Sequence, residues 1–463
     1  MNDEEIVGLA MKNGFLIDRD AVNIIKNFSD KREIYQVIKR AGKFLKDSDV
    51  VITPDHINDV CFPHKSENKT DLRIRYDTNV CKGEYEEFTD MFIDRYRRLG
   101  KILKRRLPAS AIKNVKKRGG GSDIFVVGMV SNIQKTRNGH KIVEMEDETD
   151  LMSVLLPKGS DVIKEDLLLD EVIGVKGSIK GGRRNILIAD TIFRPDLPVN
   201  RERLRSHGKI GLTSDLHVGS VTFKEDSWKR FVKFLQRDEE VAGDLDCIIV
   251  AGDVVDGIGI YPNQERELSI KNIFDQYREA ANLMEDIPSD IKVVISPGNH
   301  DAVRQAEPQP PFPEKIRDFF PERFKFVGNP CYIEMNGVNV LSYHGRSLDD
   351  IIQNIPGSSY NDPVSAMTHL LKRRHLSPIY GGRVAMSPGE RDLLLMGDVP
   401  DIFHCGHVHT LGIGRYSGTL IVNSAGWQEQ TSFQRERNIE PDVAKFPVID
   451  LGSMGIKILD FGG

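Results

Sequence analysis

Between residues 209 and 409, five short apolar runs each end in a polar block, four of them carrying a glycine. Lys209-Ile210-Gly211-Leu212 leads into Ser214-Asp215-Leu216-His217. Cys247-Ile248-Ile249-Val250-Ala251 leads into Gly252-Asp253. Val293-Val294-Ile295-Ser296 leads into Pro297-Gly298-Asn299-His300-Asp301. Val338 to Tyr343 leads into His344-Gly345, and Asp401-Ile402-Phe403 leads into His404-Cys405-Gly406-His407-Val408-His409. Apolar runs of strand length, separated by helical stretches, predict an α/β sandwich. Ligands of such sheets gather beyond the carboxyl ends of the strands. One polar block after each strand therefore brings all five to one edge, and the glycines permit tight turns and close backbone approach.

The residue types narrow the chemistry. Asp, Asn and neutral imidazole are hard-to-borderline ligands that suit Mn²⁺ foremost, or Mg²⁺, Fe²⁺ or Zn²⁺. Six of the twelve histidines fall in these blocks, which packing does not explain. Asp-x-His alone reads as a capped loop and Gly-Asp alone as a turn, whereas Gly-Asn-His-Asp and Gly-His-x-His are specific. Two ions about 3.5–4 Å apart can bind both the attacking and the leaving oxygen of a phosphodiester. Asp253 is the natural carboxylate to bridge them. His404, Cys405 and His207 read as packing or junction residues.

Ahead of these blocks the chain changes character three times. Residues 1–60 carry apolar positions at near-helical spacing, including Ile6, Leu9, Ala10, Val22, Ile25 and Ile38, broken by Asn13-Gly14 and by a cap at Ser29-Asp30. They predict a small helical docking or assembly domain. Residues 61–118 read as a polar linker followed by a basic helix. Arg95 to Arg118 holds eleven Lys/Arg and no acid, a run that fits a solvated face or contact with a nucleic-acid backbone. Residues 119–200 predict about five short strands separated by turns such as Asn138-Gly139 and Gly181-Gly182, hence a small OB-like barrel. Aromatics are sparse there, which favours an adaptor over a base-stacking platform. Residues 201–463 form the domain that carries the blocks.

The five blocks resemble the calcineurin-like metallophosphoesterase superfamily over roughly residues 207–430. The resemblance implies a four-layer α/β sandwich with mixed sheets. It also implies that Asp215, His217, Asp253 and His409 hold one divalent ion and that Asp253, Asn299, His344 and His407 hold a second. His300 would stand beside the scissile phosphate, stabilise developing charge and protonate the leaving oxygen, with Asp301 orienting its ring.

The order of helical unit, barrel and phosphoesterase is similar to the small subunits of archaeal family D DNA polymerases. Leu370-Leu371-Lys372-Arg373-Arg374-His375-Leu376-Ser377-Pro378-Ile379-Tyr380-Gly381-Gly382 and Ala425-Gly426-Trp427-Gln428-Glu429-Gln430-Thr431 with Phe433-Gln434 resemble stretches of that family. The resemblance implies a 3′→5′ proofreading exonuclease that works in a heterodimer with a large polymerising subunit on a DNA primer-template. Lys372, Arg373, Arg374 and His375 are candidates to hold the DNA backbone, against a plain helix end. A sliding clamp is a further partner in that setting, although Ile458–Gly463 shows no clear clamp-binding peptide. The family often has a longer low-complexity linker after its helical unit than this chain has.

Two other readings compete. A purely structural polymerase subunit, like the related eukaryotic accessory subunits, would lack the metal ligands, and here every ligand position is filled. A stand-alone metallophosphatase leaves the barrel and the Lys372–Gly382 stretch without a purpose. Composition is ordinary, with 39% hydrophobic and 29% charged residues and a net charge of -5, which argues against simple wrapping of nucleic acid but leaves room for local basic patches. Five scattered cysteines without a CxxC pair argue against disulfides or a zinc knuckle and fit a reducing cytoplasm. No run of about 18 apolar residues predicts a membrane span, and the acidic N-terminus is unlike a signal peptide.

Overall fold

Asn2 accepts the backbone N–H of Glu5, and the Glu5 carboxylate accepts that of Asn2. This reciprocal cap starts helix α1 (Asp3–Lys12). The structure is a computed structural model that describes residues 2–26, 34–35, 37–38, 41, 51–54, 56–57, 71–180, 185–199, 206–237 and 245–463. It divides into two units, 1–69 and 70–463. In the first, α1 is followed by strand β1 (Leu16–Ile17), helix α2 (Arg19–Ile25) capped by Asp18, and strand β2 (Val51–Ile52), which pairs parallel with β1. Ile6, Ala10, Val22, Ile25 and Ile52 form its core. The helical expectation holds for α1 and α2, and the β1–β2 pair is an addition to it. The expected Ser29-Asp30 cap, residues 61–70 of the linker and the Gly181-Gly182 turn lie outside the described residues.

The second unit begins inside the segment read as a linker. Strand β3 (Leu72–Arg75) pairs antiparallel with Cys331–Met335, and Leu72 and Ile74 pack against the apolar cluster there. Four residues of alternating burial are too short a signal to separate from a polar loop in sequence. Helix α3 (Tyr85–Lys104) buries Met91, Arg95, Leu99 and Leu103, one stripe at a spacing of four, and helix α4 (Ile112–Arg118) buries Ile112 and Val115. Strands β4 (Gly121–Lys135), β5 (Lys141–Glu146), β6 (Leu151–Leu156), β7 (Val172–Ile179) and β8 (Leu187–Phe193) close a five-stranded barrel in the order β4-β5-β6-β8-β7. Its interior is aliphatic, with Val126, Val130, Val143, Val154 and Val175. Val127, Val172 and Phe193 lie on its outer side with Leu99 and Leu103 of α3.

Two six-stranded sheets follow. In the first, β9 (Lys209–Thr213), β10 (Leu245–Ala251) and β11 (Lys292–Ser296) run parallel, flanked by β12 (Lys325–Phe326) on one side and by the antiparallel pair β18 (Lys445–Asp450) and β19 (Ile456–Asp460) on the other. In the second the order is β16 (Gly412–Tyr416), β17 (Thr419–Asn423), β15 (Ile402–Cys405), β14 (Val338–Ser342), β13 (Cys331–Met335) and β3. Side chains alternate between faces along each strand. Cys247 and Ile249 of β10 join Ile333, Val340, Ile402 and Val422 in a core between the sheets. Ile248 and Val250 face outward, to Trp228 and Phe231 of helix α5 (Glu225–Arg237) and to Tyr277 and Met284 of helix α6 (Ile273–Glu285). The outer face of the second sheet is covered by helices α7 (Leu348–Asn354) and α8 (Pro363–Arg373). The result is a helix–sheet–sheet–helix stack with mixed sheets, as the family resemblance implies. No helix among the described residues is long and apolar enough to cross a membrane.

Candidate metal centre

The parallel strands β9, β10 and β11 end at one edge, and β14 and β15 bring the ends of the second sheet beside it. The chain turns sharply there. Asp215, His217, Asp253, His407 and His409 all have φ between 52° and 70°, a left-handed conformation uncommon outside glycine, and five such residues gather here. Such strain persists where the surrounding structure over-determines it, typically at functional sites. Gly298 is required by proximity: a Cβ there would meet the Asp253 backbone N at 2.6 Å and its carboxylate closer still.

The turns assemble three groups of side chains whose ligand atoms lie within 4.8 Å of one another: Asp215, His217 and His409; His217, Asp253 and His300; and Asp253, His344 and His407. His217 Nε2 is 3.1 Å from His409 Nε2 and 3.8 Å from Asp253 Oδ2. His344 Nε2 is 3.3 Å from Asp253 Oδ2 and 3.0 Å from Asn299 Oδ1. Asp253 thus stands between the clusters, and its Oδ1 accepts the His300 N–H at 2.8 Å. Asp215 is fully buried, and its Oδ1 has no hydrogen-bond partner. A buried carboxylate oxygen left bare costs about 1–3 kcal/mol or more unless a cation meets it. Donor types, clustering and this orphaned oxygen fit divalent-ion sites.

Electrostatics point the same way. Burial alone would raise the Asp215 carboxyl, but the His409 and His344 charges outweigh it and hold it at about 2. Burial also opposes ionisation of Asp253, yet its imidazole neighbours, His344 first, hold it well below the usual carboxylate range. Burial lowers His217, which keeps this ring neutral and able to ligate. For His344 burial is overcome by Asp253, which raises it to about 10, so this ring is charged without an ion and ligates only when a cation takes that proton's place. Each ring is aimed by its other nitrogen. His217 Nδ1 is 3.0 Å from Asp256 Oδ1, and His344 Nδ1 donates to the Ala251 carbonyl at 2.8 Å.

The clusters floor an open cleft of about 550 Å³ whose walls include His300, Tyr261, Arg346, Asp349, Tyr360 and Arg383. His300 Nδ1 donates to the Asp256 carbonyl at 2.7 Å. This corrects the expected role of Asp301. Its carboxylate accepts instead from Gly298 N at 2.8 Å, Val254 N at 3.3 Å and the Tyr277 hydroxyl at 3.1 Å. Asp301 is buried and ties together the turns that carry Asp253 and Asn299; burial and the Asp253 charge raise it to about 7. Asp256 is the residue that sequence reasoning missed. It lies one turn beyond Asp253, and its position in Gly252-Asp253-Val254-Val255-Asp256 was the available signal.

The expectation for the basic run after α8 is corrected as well. Arg373 is 2% exposed and places Nε 2.8 Å from Glu171 Oε2 of the barrel. Arg374 donates to the Met396 and Gly397 carbonyls, and His375 Nε2 lies 2.8 Å from Asp392. Lys372 is half-buried, with Nζ 5.6 Å from the Tyr416 ring centre. The two guanidinium groups of Arg373 and Arg374 and the ring of His375 are committed to internal partners, not to a DNA backbone. Trp427 is buried too. Its indole donates to Thr213 Oγ1 at 2.8 Å and its backbone N–H to the Asp215 carbonyl at 2.9 Å, so this stretch buttresses the first ligand loop. His404 packs at a strand end, with Nε2 3.0 Å from Ser424 Oγ.

Residues 210–411 match the family of the B subunits of DNA polymerases alpha and epsilon. The chain is 43% identical to the DNA polymerase II small subunit of Archaeoglobus fulgidus over 390 residues, 82% of this chain and 78% of that one. It is 35% identical to that of Methanothermobacter thermautotrophicus over 490 aligned residues, 99% of both chains. A solved archaeal phosphodiesterase aligns at 12% identity over 54% of this chain and 98% of its own, with a TM-score of 0.28, too low to argue from.

Proposed function

The chain belongs to the family of archaeal DNA polymerase II small subunits, and from that membership we propose that it is the 3′→5′ exonuclease subunit, working beside a large polymerising subunit. The observation that carries the reading is the pair of buried Asp/His clusters joined by Asp253 at an open cleft. Asp215, His217, Asp253 and His409 would hold one divalent ion, and Asp253, Asn299, His344 and His407 the other, a mixed oxygen and imidazole set compatible with Mn²⁺, Fe²⁺, Zn²⁺ or Mg²⁺. Such a pair supplies charge neutralisation at the phosphate and a more acidic water.

The chain's own residues do the rest. Asp256 and the Ala251 carbonyl lock the rings of His217 and His344. His300 gives Nδ1–H to the Asp256 carbonyl, which leaves Nε2 facing the cleft; in the imidazolium form this atom would hand its proton to the departing 3′ oxygen. Arg346 and Arg383, on the cleft wall, replace Arg373, Arg374 and His375 as candidates to receive the DNA backbone.

A structural accessory role has one supporting observation, the match to the family of polymerase alpha and epsilon accessory chains. Against it stands the complete ligand set, which a scaffold does not need. The deciding experiment incubates the full chain, with and without its large subunit, with a 3′-mismatched primer and Mn²⁺, Mg²⁺, Fe²⁺ or Zn²⁺ in turn. Stepwise loss of 3′ nucleotides is expected. Folded protein that cleaves no DNA with any of these ions overturns the proposal.

A further inference from the structure

The cleft contains a carboxylate that the reaction above does not use. Asp349, the second residue of α7, places Oδ2 3.3 Å from His407 Nε2. Its Oδ1 accepts the Tyr360 hydroxyl at 2.9 Å. The next residue, Asp350, accepts the Arg383 backbone N–H at 2.8 Å and packs so closely on Gly382 that a Cβ there would lie 2.6 Å from its carboxylate. The start of α7 is therefore fixed from two directions, by Tyr360 and by the 382–383 backbone.

A metal-ligating imidazole is oriented, and made a better donor, by what its other nitrogen touches. For His217 that partner is the Asp256 carboxylate and for His344 the Ala251 carbonyl. For His407 it is Asp349.

We propose that Asp349 is a positioning residue for the second cation: it holds His407 through Nε2, with Tyr360 steadying the carboxylate, so that Nδ1 serves the ion shared with Asp253 and His344. The inference rests on the two-cation reading given above. A full negative charge behind His407 strengthens the second site selectively, because Asp349 makes no contact with Asp215, His217 or His409. The second ion is thus tied to α7 and its loop, whereas the first is tied to Asp256.

The test is titration of Mn²⁺ into the metal-free full chain for wild type, D349N and Y360F. Two dissociation constants are read by calorimetry, and the spin-coupled ion pair by electron paramagnetic resonance. D349N keeps the size and one acceptor oxygen of Asp349 but removes its charge. Its second-ion constant is expected to rise about 10- to 100-fold, with the first within about threefold of wild type. At two equivalents of Mn²⁺ the coupled signal should give way to that of a single ion. Y360F should weaken the second ion by about threefold, since it frees the carboxylate without removing it. An unchanged second constant in D349N, or equal weakening of both ions, overturns the proposal. Should D349N not fold, Y360F decides on the same readout, an unchanged second constant again overturning it. A wild-type chain that takes up one ion or none is a different result: it removes the two-cation reading itself, before any variant is compared.

Discussion

His300 has a foot in two roles. It belongs to a cluster with His217 and Asp253, yet its Nδ1 is already given to a backbone carbonyl. His300→Ala should lower cleavage by about 10²- to 10⁴-fold, the usual worth of a positioned acid, while elemental analysis still finds two ions per chain. Loss of an ion in that variant would make His300 a ligand instead. Glu307 offers a test of burial. It is 1% exposed, accepts the Tyr343 hydroxyl at 2.8 Å, and burial pushes it from 4.5 up to about 7. A carboxyl whose folded pKa is raised binds its proton more tightly folded than unfolded. Its effect is therefore to reduce stability as pH climbs from about 4.5 to about 7, with no change outside that window. Glu307→Gln should flatten this part of the thermal-stability profile, and an unaltered slope would show that Glu307 does not titrate there. The blocks that supply these clusters were legible in sequence, because each follows an apolar run; which of their residues would share an ion came from the family resemblance. What each ring's other nitrogen touches was not: Asp301 follows His300 in sequence, but the Asp256 carbonyl is the neighbour in space.

Among the elements, β3 is the one that sequence reading lost and the fold needs. It covers the edge of the second sheet beside β13, and Ile74 pairs with Ile333. A chain beginning at residue 70 should fold and bind Mn²⁺ as the full chain does. One beginning at residue 85 exposes the β13 edge and should melt several degrees lower or aggregate. Equal melting temperatures would show β3 to be dispensable. The 370–382 stretch illustrates a different limit. Its basic residues look like a surface in sequence, where charge runs are usually solvated. In space the chain leaves α8 with Arg374 in a left-handed turn and runs inward, and Tyr380 sits edge-on to Phe88 and Phe92 of α3. The partners distant in sequence, Glu171, Asp392, Met396 and Gly397, reveal this.

At the scale of the second unit, barrel, α3 and sandwich are joined by buried charge. Arg95 is fully buried, with Nε 2.6 Å from Asp392 and Nη1 donating to the Pro378 carbonyl at 2.7 Å. Glu171 of the barrel lies between Arg373 and Arg194. Burial opposes ionisation of Asp392, but His375 and Arg95 hold its carboxyl far below the usual range. Arg95→Ala strands that charge and should cost about 3–5 kcal/mol in chemical denaturation; a loss near that of an exposed pair would mean water reaches the junction. The stack of layers was readable from strand–helix alternation. The junction was not, because Arg95 stands among ten other basic residues and nothing local marks it as internal.

The pairing of β3 with β13 also sets a timetable. Residues 72–75 leave the ribosome long before 331–335 exist, and at about 5–20 residues per second the wait is roughly 13–50 s. During that interval a short, half-apolar strand has no edge to join. Charged residues in and beside it, Arg73, Arg75 and Asp71, give the nascent segment a solvated face until its partner strand is made.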